Sequence, residues 1–249
     1  MQTMQTIPKI IHYCWFGRGK KSKLIQKCID SWHTFFPDYR LIEWNEDNCD
    51  ISSMPRYVQE AYSVKKYAFV SDYVRFVALY KEGGIYLDTD IEVLKNFDFL
   101  IKGYMMVVGF EHLSGLSTGI IIAKPNLPIL KEFIDSYRER TFIRSDGGLD
   151  LTTVNEKFNI LMQQYGVILN GKEQYLESGI KVYPIDVFSS FDMRHWHEQI
   201  TENSVTVHHM SGSWSKITGG WKWKIVYLCR KIFGIKITDK IQDFISRSK

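Results

Sequence analysis

Along the first hundred residues, short unbroken apolar runs alternate with longer stretches whose apolar positions repeat every three to four residues. The run at 7–15, IPKIIHYCW, predicts a buried strand, because a strand covered on both faces shows no polar alternation. After it, Leu24, Cys28, Trp32, Phe35 and Phe36 recur at helical spacing, and Pro37 ends the helix. The segment 40–44, RLIEW, reads as a second strand running into the polar turn NEDN. A long helix is expected over 63–82, where Phe69, Tyr73, Phe76, Val77 and Tyr80 keep an apolar stripe. Gly83 and Gly84 stop it as a C-cap, and 85–87 is a short strand. Apolar runs at 104–110 and 119–123 predict two more strands. Helices are expected over 127–140, with Pro128 in the first turn, and over 149–165.

Strand, helix, strand, helix, strand is the order of an α/β fold with a mostly parallel sheet flanked by helices. The second half mixes short strands and loops, so some antiparallel content is expected there. In open sheets of this kind, ligands bind beyond the carboxyl ends of the strands. No internal repeat or low-complexity linker divides the chain. One domain is expected over 1–215, followed by a tail at 216–249.

Composition narrows the class. With 249 residues, 45% apolar and 24% charged, the sequence suits a globular domain rather than a disordered chain. Seven Trp and fourteen Tyr suit surfaces that grip flat ligands, sugars or lipid. A net charge of +4 gives no support to nucleic-acid binding. Cys14, Cys28, Cys49 and Cys229 show no CxxC spacing, which argues for reduced thiols in a cytosol and against zinc. The polar start of the chain has no apolar signal region, and no run of 18 apolar residues spans a membrane. The expected location is cytoplasmic.

Candidate chemistry begins after the strand at 85–87, where the chain reads GGIYLDTD. In extended backbone, Asp88 and Asp90 share a face about 7 Å apart. Two anions so placed are either an Asp-rich turn in solvent or a site for a divalent cation. Their place at a strand's carboxyl end favours the cation. Asp72 and Arg75, three apart on the predicted helix, share a face as well. On a solvated surface such a pair is worth about 0.5 kcal/mol. The surrounding FVSDYVRFVALY is too apolar for a solvated face, so a polar ligand is the alternative.

In VTVHHMSGSW, residues 205–214, strand alternation turns His208 and His209 to opposite faces, so one of them is free to ligate. Trp15, at the end of the first strand, is either core or a stacking floor for a base or sugar. Glu111 and His112 close a strand and face the cleft in one reading. His12 is read as structural, and His195 and His197 as a loop feature.

The segments IPKIIHYCWFG, SDYVRFVALYKEGGIYLDTD and HHMSGSW together resemble the family 32 glycosyltransferases, and more distantly the catalytic domains of the clostridial glucosylating toxins. The resemblance covers residues 7–125 and 205–214. It implies a GT-A fold with a Rossmann-like sheet, a UDP- or GDP-hexose donor, and Mn2+ or Mg2+. By position, Asp90 binds the metal directly, and Asp88 reaches the sugar or ribose and the metal's waters. Asp72 and Arg75 hold sugar hydroxyls, with Arg75 also orienting Asp88. Tyr86 lies beside the nucleoside and Trp15 stacks on the base. Either His208 or His209 completes the metal site, with Ser213 and Trp214 near the diphosphate. Thr118 departs from the pattern, since many relatives carry Asn there, next to the reacting carbon of the sugar.

The implied function is metal-dependent, retaining hexosyl transfer to a glycan or lipid-linked oligosaccharide hydroxyl in surface polysaccharide (capsule or lipopolysaccharide) assembly. The alternatives are a nucleotide-sugar phosphohydrolase using the same acidic pair, and a sugar- or membrane-binding protein without catalysis. The basic, Trp-containing segment 219–249 suits peripheral contact with an anionic membrane at its inner face.

Overall fold

The computed structural model describes residues 6–192 and 197–211. Its first half runs β1 (Ile10–Cys14), α1 (Lys23–Phe35), β2 (Arg40–Trp44), α2 (Arg56–Ser63), α3 (Tyr67–Glu82), β3 (Gly84–Leu87) and β4 (Ile91–Val93). The second half adds α4 (Asp98–Ile101), β5 (Met106–His112), β6 (Gly115–Ala123), α5 (Pro128–Asp135) and α6 (Val154–Gln164). It closes with β7 (Gln174–Tyr175), β8 (Ile180–Tyr183), α7 (Ile185–Phe188), β9 (Phe191–Asp192), β10 (His197–Glu198) and β11 (Thr206–His208).

Seven strands form one sheet in the order β2-β1-β3-β6-β5-β8-β7. β1 is parallel to β2 and β3, and β5 to β8, whereas β6 runs against both its neighbours and β7 against β8. Five strands therefore share one direction, and the sheet is mixed but mostly parallel. Apolar side chains cover both of its faces, as the unbroken runs require. Tyr86 joins a cluster with Val74, Phe76 and Phe158 on one side. Ile85 and Leu87 join one with Trp32, Phe36 and Phe97 on the other. β4 leaves this sheet to pair antiparallel with β11, and Trp32 of α1 fastens it by donating Nε1–H to Ile91 O at 2.8 Å.

Several boundaries move from the sequence expectation, each for a local reason. The helix expected over 63–82 starts only at Tyr67, because Lys65 takes φ +59° and the Lys66 N–H folds back to Ala61 O at 2.8 Å, and the residues before it form a helix, α2, that the sequence reading does not predict. α6 begins only at Val154, where the Thr153 hydroxyl accepts from the Glu156 N–H. β6 starts four residues earlier than expected, at Gly115. Gly83 does end α3, at φ +65°, and a Cβ there would lie 2.6 Å from Pro125 Cδ.

His12 ties these parts together. Trp44 Nε1 donates to its Nδ1 at 3.1 Å, so Nε2 carries the proton and donates to Gly83 O at 2.8 Å. Burial pushes this imidazole below its ordinary value. The expected tail at 216–249 lies outside the described residues. No helix among those described is long and apolar enough to cross a membrane.

Candidate active site

Three carboxyl-end positions of the sheet converge on the middle of β6. The guanidinium of Arg75 is the hub, with its side chain 5% exposed. It meets Asp72 Oδ1 at 2.7 Å across one turn of α3. Its Nη1 donates to Thr118 O at 2.8 Å and reaches Thr118 Oγ1 at 3.3 Å, and Asp88 lies 3.4 Å away. Its cation rests 4.8 Å from the ring centre of Tyr86. Burial opposes the charge on Arg75, but Asp88, Tyr86 and Asp72 outweigh it and push the group further up. Burial pushes the Asp72 carboxyl up to about 7 against the pull of Arg75. So the surface reading of the pair is wrong: the apolar helix carries it inside.

Asp88 continues the β3 ladder by one residue, its N–H donating to Gly119 O at 2.7 Å. Tyr86 was expected beside the nucleoside, but it is 1% exposed and presents no free ring face. Its hydroxyl donates to Asp88 Oδ1 at 2.8 Å, so it supports the aspartate from below. The extended geometry expected for the two aspartates also does not hold. Residues 88–91 turn, closed by the Ile91 N–H on Asp88 O at 3.0 Å, because β4 must swing out to meet β11. Asp88 therefore faces Arg75, while Asp90 faces the end of β11.

There, His208 Nε2 lies 3.2 Å from Asp90 Oδ1, and Ser211 gives Asp90 Oδ2 both its N–H, at 2.9 Å, and its hydroxyl, at 2.8 Å. Burial opposes ionisation of Asp90, yet His208 and Ser211 hold it well below the usual carboxylate range. His209 does not join the aspartates. Strand alternation turns it outward, where Glu92 (2.9 Å) and Glu198 (2.7 Å) take its two nitrogens, so its expected role as a metal ligand does not stand.

The far wall comes from residues that pattern reading did not single out. Asn155, near the start of α6, accepts from the Thr118 N–H at 3.2 Å and from its hydroxyl. Its Nδ2 donates to Glu111 Oε2 at 2.9 Å. Gly119 is the floor: a Cβ there would lie 3.0 Å from Asp88 Oδ2 and 3.1 Å from His208 Cε1. Asn155 and Asn159 do stand four apart on the sheet-facing side of α6, a polar pair on a packed face. That was the available signal.

Trp15 is half-buried at the carboxyl end of β1, its Nε1 donating to Gly19 O at 2.7 Å and Lys21 lying 5.4 Å from its ring centre. Ser213 and Trp214 lie outside the described residues. Among those described, no three His, Cys, Asp or Glu side chains form a closed metal cluster. The available donors nevertheless suit a hard divalent cation in kind, being carboxylates, a hydroxyl and one imidazole, and the missing Cβ of Gly119 leaves Asp88 and His208 in reach of one space.

The description "glycosyltransferase sugar-binding region containing DXD motif" matches residues 22–107, which include Asp72, Arg75, Asp88 and Asp90. Over those residues the chain is similar to the DXD glycosyltransferases. It is 29% identical over 138 residues to the inositol phosphoceramide mannosyltransferase 3 of Schizosaccharomyces pombe, covering 51% of this chain and 36% of that protein. It is 30% identical over 142 residues to the initiation-specific alpha-1,6-mannosyltransferase of Candida albicans, covering 53% of this chain and 36% of that one. The chain thus spans about a third of the length of either relative. Among solved structures, the PaToxG glycosyltransferase superposes with a TM-score of 0.50 at 21% identity, covering 65% of this chain and 70% of that chain. That likeness shows the fold, which is of the GT-A type.

Proposed function

We propose that the chain transfers a hexose from a nucleotide sugar to a hydroxyl of a glycan or lipid-linked glycan, with retention of configuration and with the help of a divalent cation. One observation carries the reading: the buried chain Asp72–Arg75–Asp88 ends in a carboxylate still 28% exposed, beside the Asp90–His208 pair. A structural ion pair has no need to surface at the carboxyl end of a sheet, and a binding site does.

Asp90 would hold the cation, with Asp88 and His208 beside it, and the cation would neutralise the charge gathering on the diphosphate as the glycosidic bond breaks. Asp72 and Arg75 orient sugar hydroxyls through donors and acceptors that are fixed before the substrate arrives. Thr118, held by Asn155, offers a hydroxyl to the donor side. Trp15 is the stacking surface for the base, and Ser213 and Trp214 approach the diphosphate. UDP- and GDP-hexoses both fit this chemistry, with Mn2+ or Mg2+. The mannosyltransferase relatives favour a mannosyl donor. A role in surface polysaccharide assembly, with the basic segment 219–249 on an anionic membrane, places the acceptor within reach.

The test is thermal unfolding against a panel of nucleotide sugars with Mn2+, followed by product analysis. A donor at a hundred times its Kd stabilises the fold by about 2.7 kcal/mol. The expected product is a glycan extended only when acceptor is present. Free sugar released at one rate with or without acceptor would mean hydrolysis instead.

A further inference from the structure

Glu111 lies at the end of β5 with its side chain 11% exposed. No cation of the Asp72–Arg75 group touches it. Its Oε2 accepts from Asn155, and its Oε1 lies 3.5 Å from Nδ1 of His208. That nitrogen is buried and has no hydrogen-bond partner, while the opposite ring nitrogen, Nε2, faces Asp90 at 3.2 Å. Glu111, the His208 ring and Asp90 therefore stand in one line, with the imidazole between two carboxylates.

We propose that Glu111 is a positioning residue for His208: it takes the Nδ1–H, fixes the ring plane, and so keeps Nε2 aimed at Asp90, as a donor to that carboxylate in the metal-free chain and as the nitrogen that would face a bound cation. The inference rests on the transferase reading for its purpose, but its geometry stands on these residues alone. A histidine that ligates through one nitrogen almost always gives the other N–H to a carboxylate or carbonyl, which sets its tautomer and aim. Of the acceptors around His208, Glu111 is the carboxylate on the Nδ1 side. Asn155 has the further task of holding Glu111. Its amide nitrogen fixes Oε2 while its amide oxygen accepts from Thr118, so α6 braces the His208 side and the Thr118 side of the cleft together. This explains why a buried glutamate and an asparagine face each other across the cleft wall with no cation between them.

The experiment uses the full chain labelled with 15N-histidine and free of metal, read by long-range 1H–15N correlation, and then Mn2+ titration by calorimetry. In wild type, His208 should show a protonated Nδ1. In Glu111→Ala the Nδ1 shift should move toward that of an unprotonated ring nitrogen, and Mn2+ affinity should fall by about 10–100-fold. Glu111→Gln, whose amide oxygen still accepts, should restore part of both. Should Glu111→Ala fail to fold, Asn155→Ala keeps the carboxylate but frees it, and an intermediate loss in both readouts is expected. Wild-type shifts and wild-type Mn2+ affinity in Glu111→Ala would overturn the proposal, as would a wild-type His208 protonated at Nε2 alone. A wild-type chain that shows the Glu111-dependent shifts and binds Mn2+ yet moves no sugar would sink the transferase reading and leave this inference standing.

Discussion

Arg75 of α3 donates through Nη1 to the backbone carbonyl of Thr118 on β6 at 2.8 Å, tying helix to strand at the point where β3 gives out. The same guanidinium neutralises Asp72 and Asp88. Removing one partner of a buried pair strands the other, and that costs more than the pair was worth.

Arg75→Ala should therefore destabilise the fold by about 3–5 kcal/mol, a fall in melting temperature on the order of 10 °C for a domain of this size. Adding Asp72→Asn should recover part of the loss, because the stranded carboxylate is gone. Calorimetric melting of the two variants decides the point. An Arg75→Ala protein that melts with wild type would mean the aspartates hold their places without it.

Asp90→Asn keeps the volume and one acceptor for Ser211, so the fold should survive with its melting temperature little changed. Sugar transfer should fall by more than about 100-fold, since a neutral amide is a poor ligand for a hard cation. Activity within a few-fold of wild type at saturating Mn2+ would remove Asp90 from the metal site.

Gly119→Ala separates site from scaffold. The three atoms nearest its Cβ would all belong to side chains, those of Asp88, His208 and Ser117, at 3.0–3.3 Å. These ends shift by a few tenths of an ångström without disturbing the sheet. The expected result is near-wild-type melting with Mn2+ affinity reduced by about ten-fold. Unchanged affinity would show that the space above Gly119 is not where the cation sits.

His12 sets the pH dependence of stability. Its folded value is lowered by burial, with Trp44 donating to Nδ1, so the folded chain keeps it neutral while the unfolded chain binds a proton below about 6.5. The stabilising contribution is complete above the unfolded value and is lost as pH falls through the lower folded one. Wild type should lose melting temperature between pH 6.5 and 5, as measured by fluorescence, and His12→Asn should lose less over the same range. Parallel curves would mean that other groups carry the slope.

Much of the fold was legible from periodicity. The alternation of runs and stripes located β1, α1, β2, α3 and β3, and the Asp72, Arg75 and Asp88 spacing marked one half of the site. What was missed depends on long-range pairing. An Asp-rich turn was one of the two local readings of Asp88 and Asp90, but nothing near them says that the turn delivers Asp90 to β11, far along the sequence. Asn155 escaped notice because its one signal, a second asparagine four residues on, marks a polar pair on a packed face without saying what it meets. The start of α3 was hidden too, since nothing in the local pattern marks α2 or the left-handed Lys65 that separates it from α3. His208 and His209 were split between two faces by strand alternation, but only the partners of each ring told them apart.

The pairing of β4 with β11 has a consequence in time. Asp90 and Ser211, joined by hydrogen bonds, are 121 residues apart in the chain, and the entropy of closing so long a loop must be met before its contacts contribute. The seven-stranded sheet needs neither β4 nor β11, so a refolding chain has its secondary structure in place while Asp90 still lacks His208 and Ser211. We expect far-UV circular dichroism to recover first and Mn2+ binding to follow in a slower phase; recovery of both in one phase would put the closure inside the folding nucleus. Competence is then the last property the chain acquires, and the first it gives up when β11 lifts.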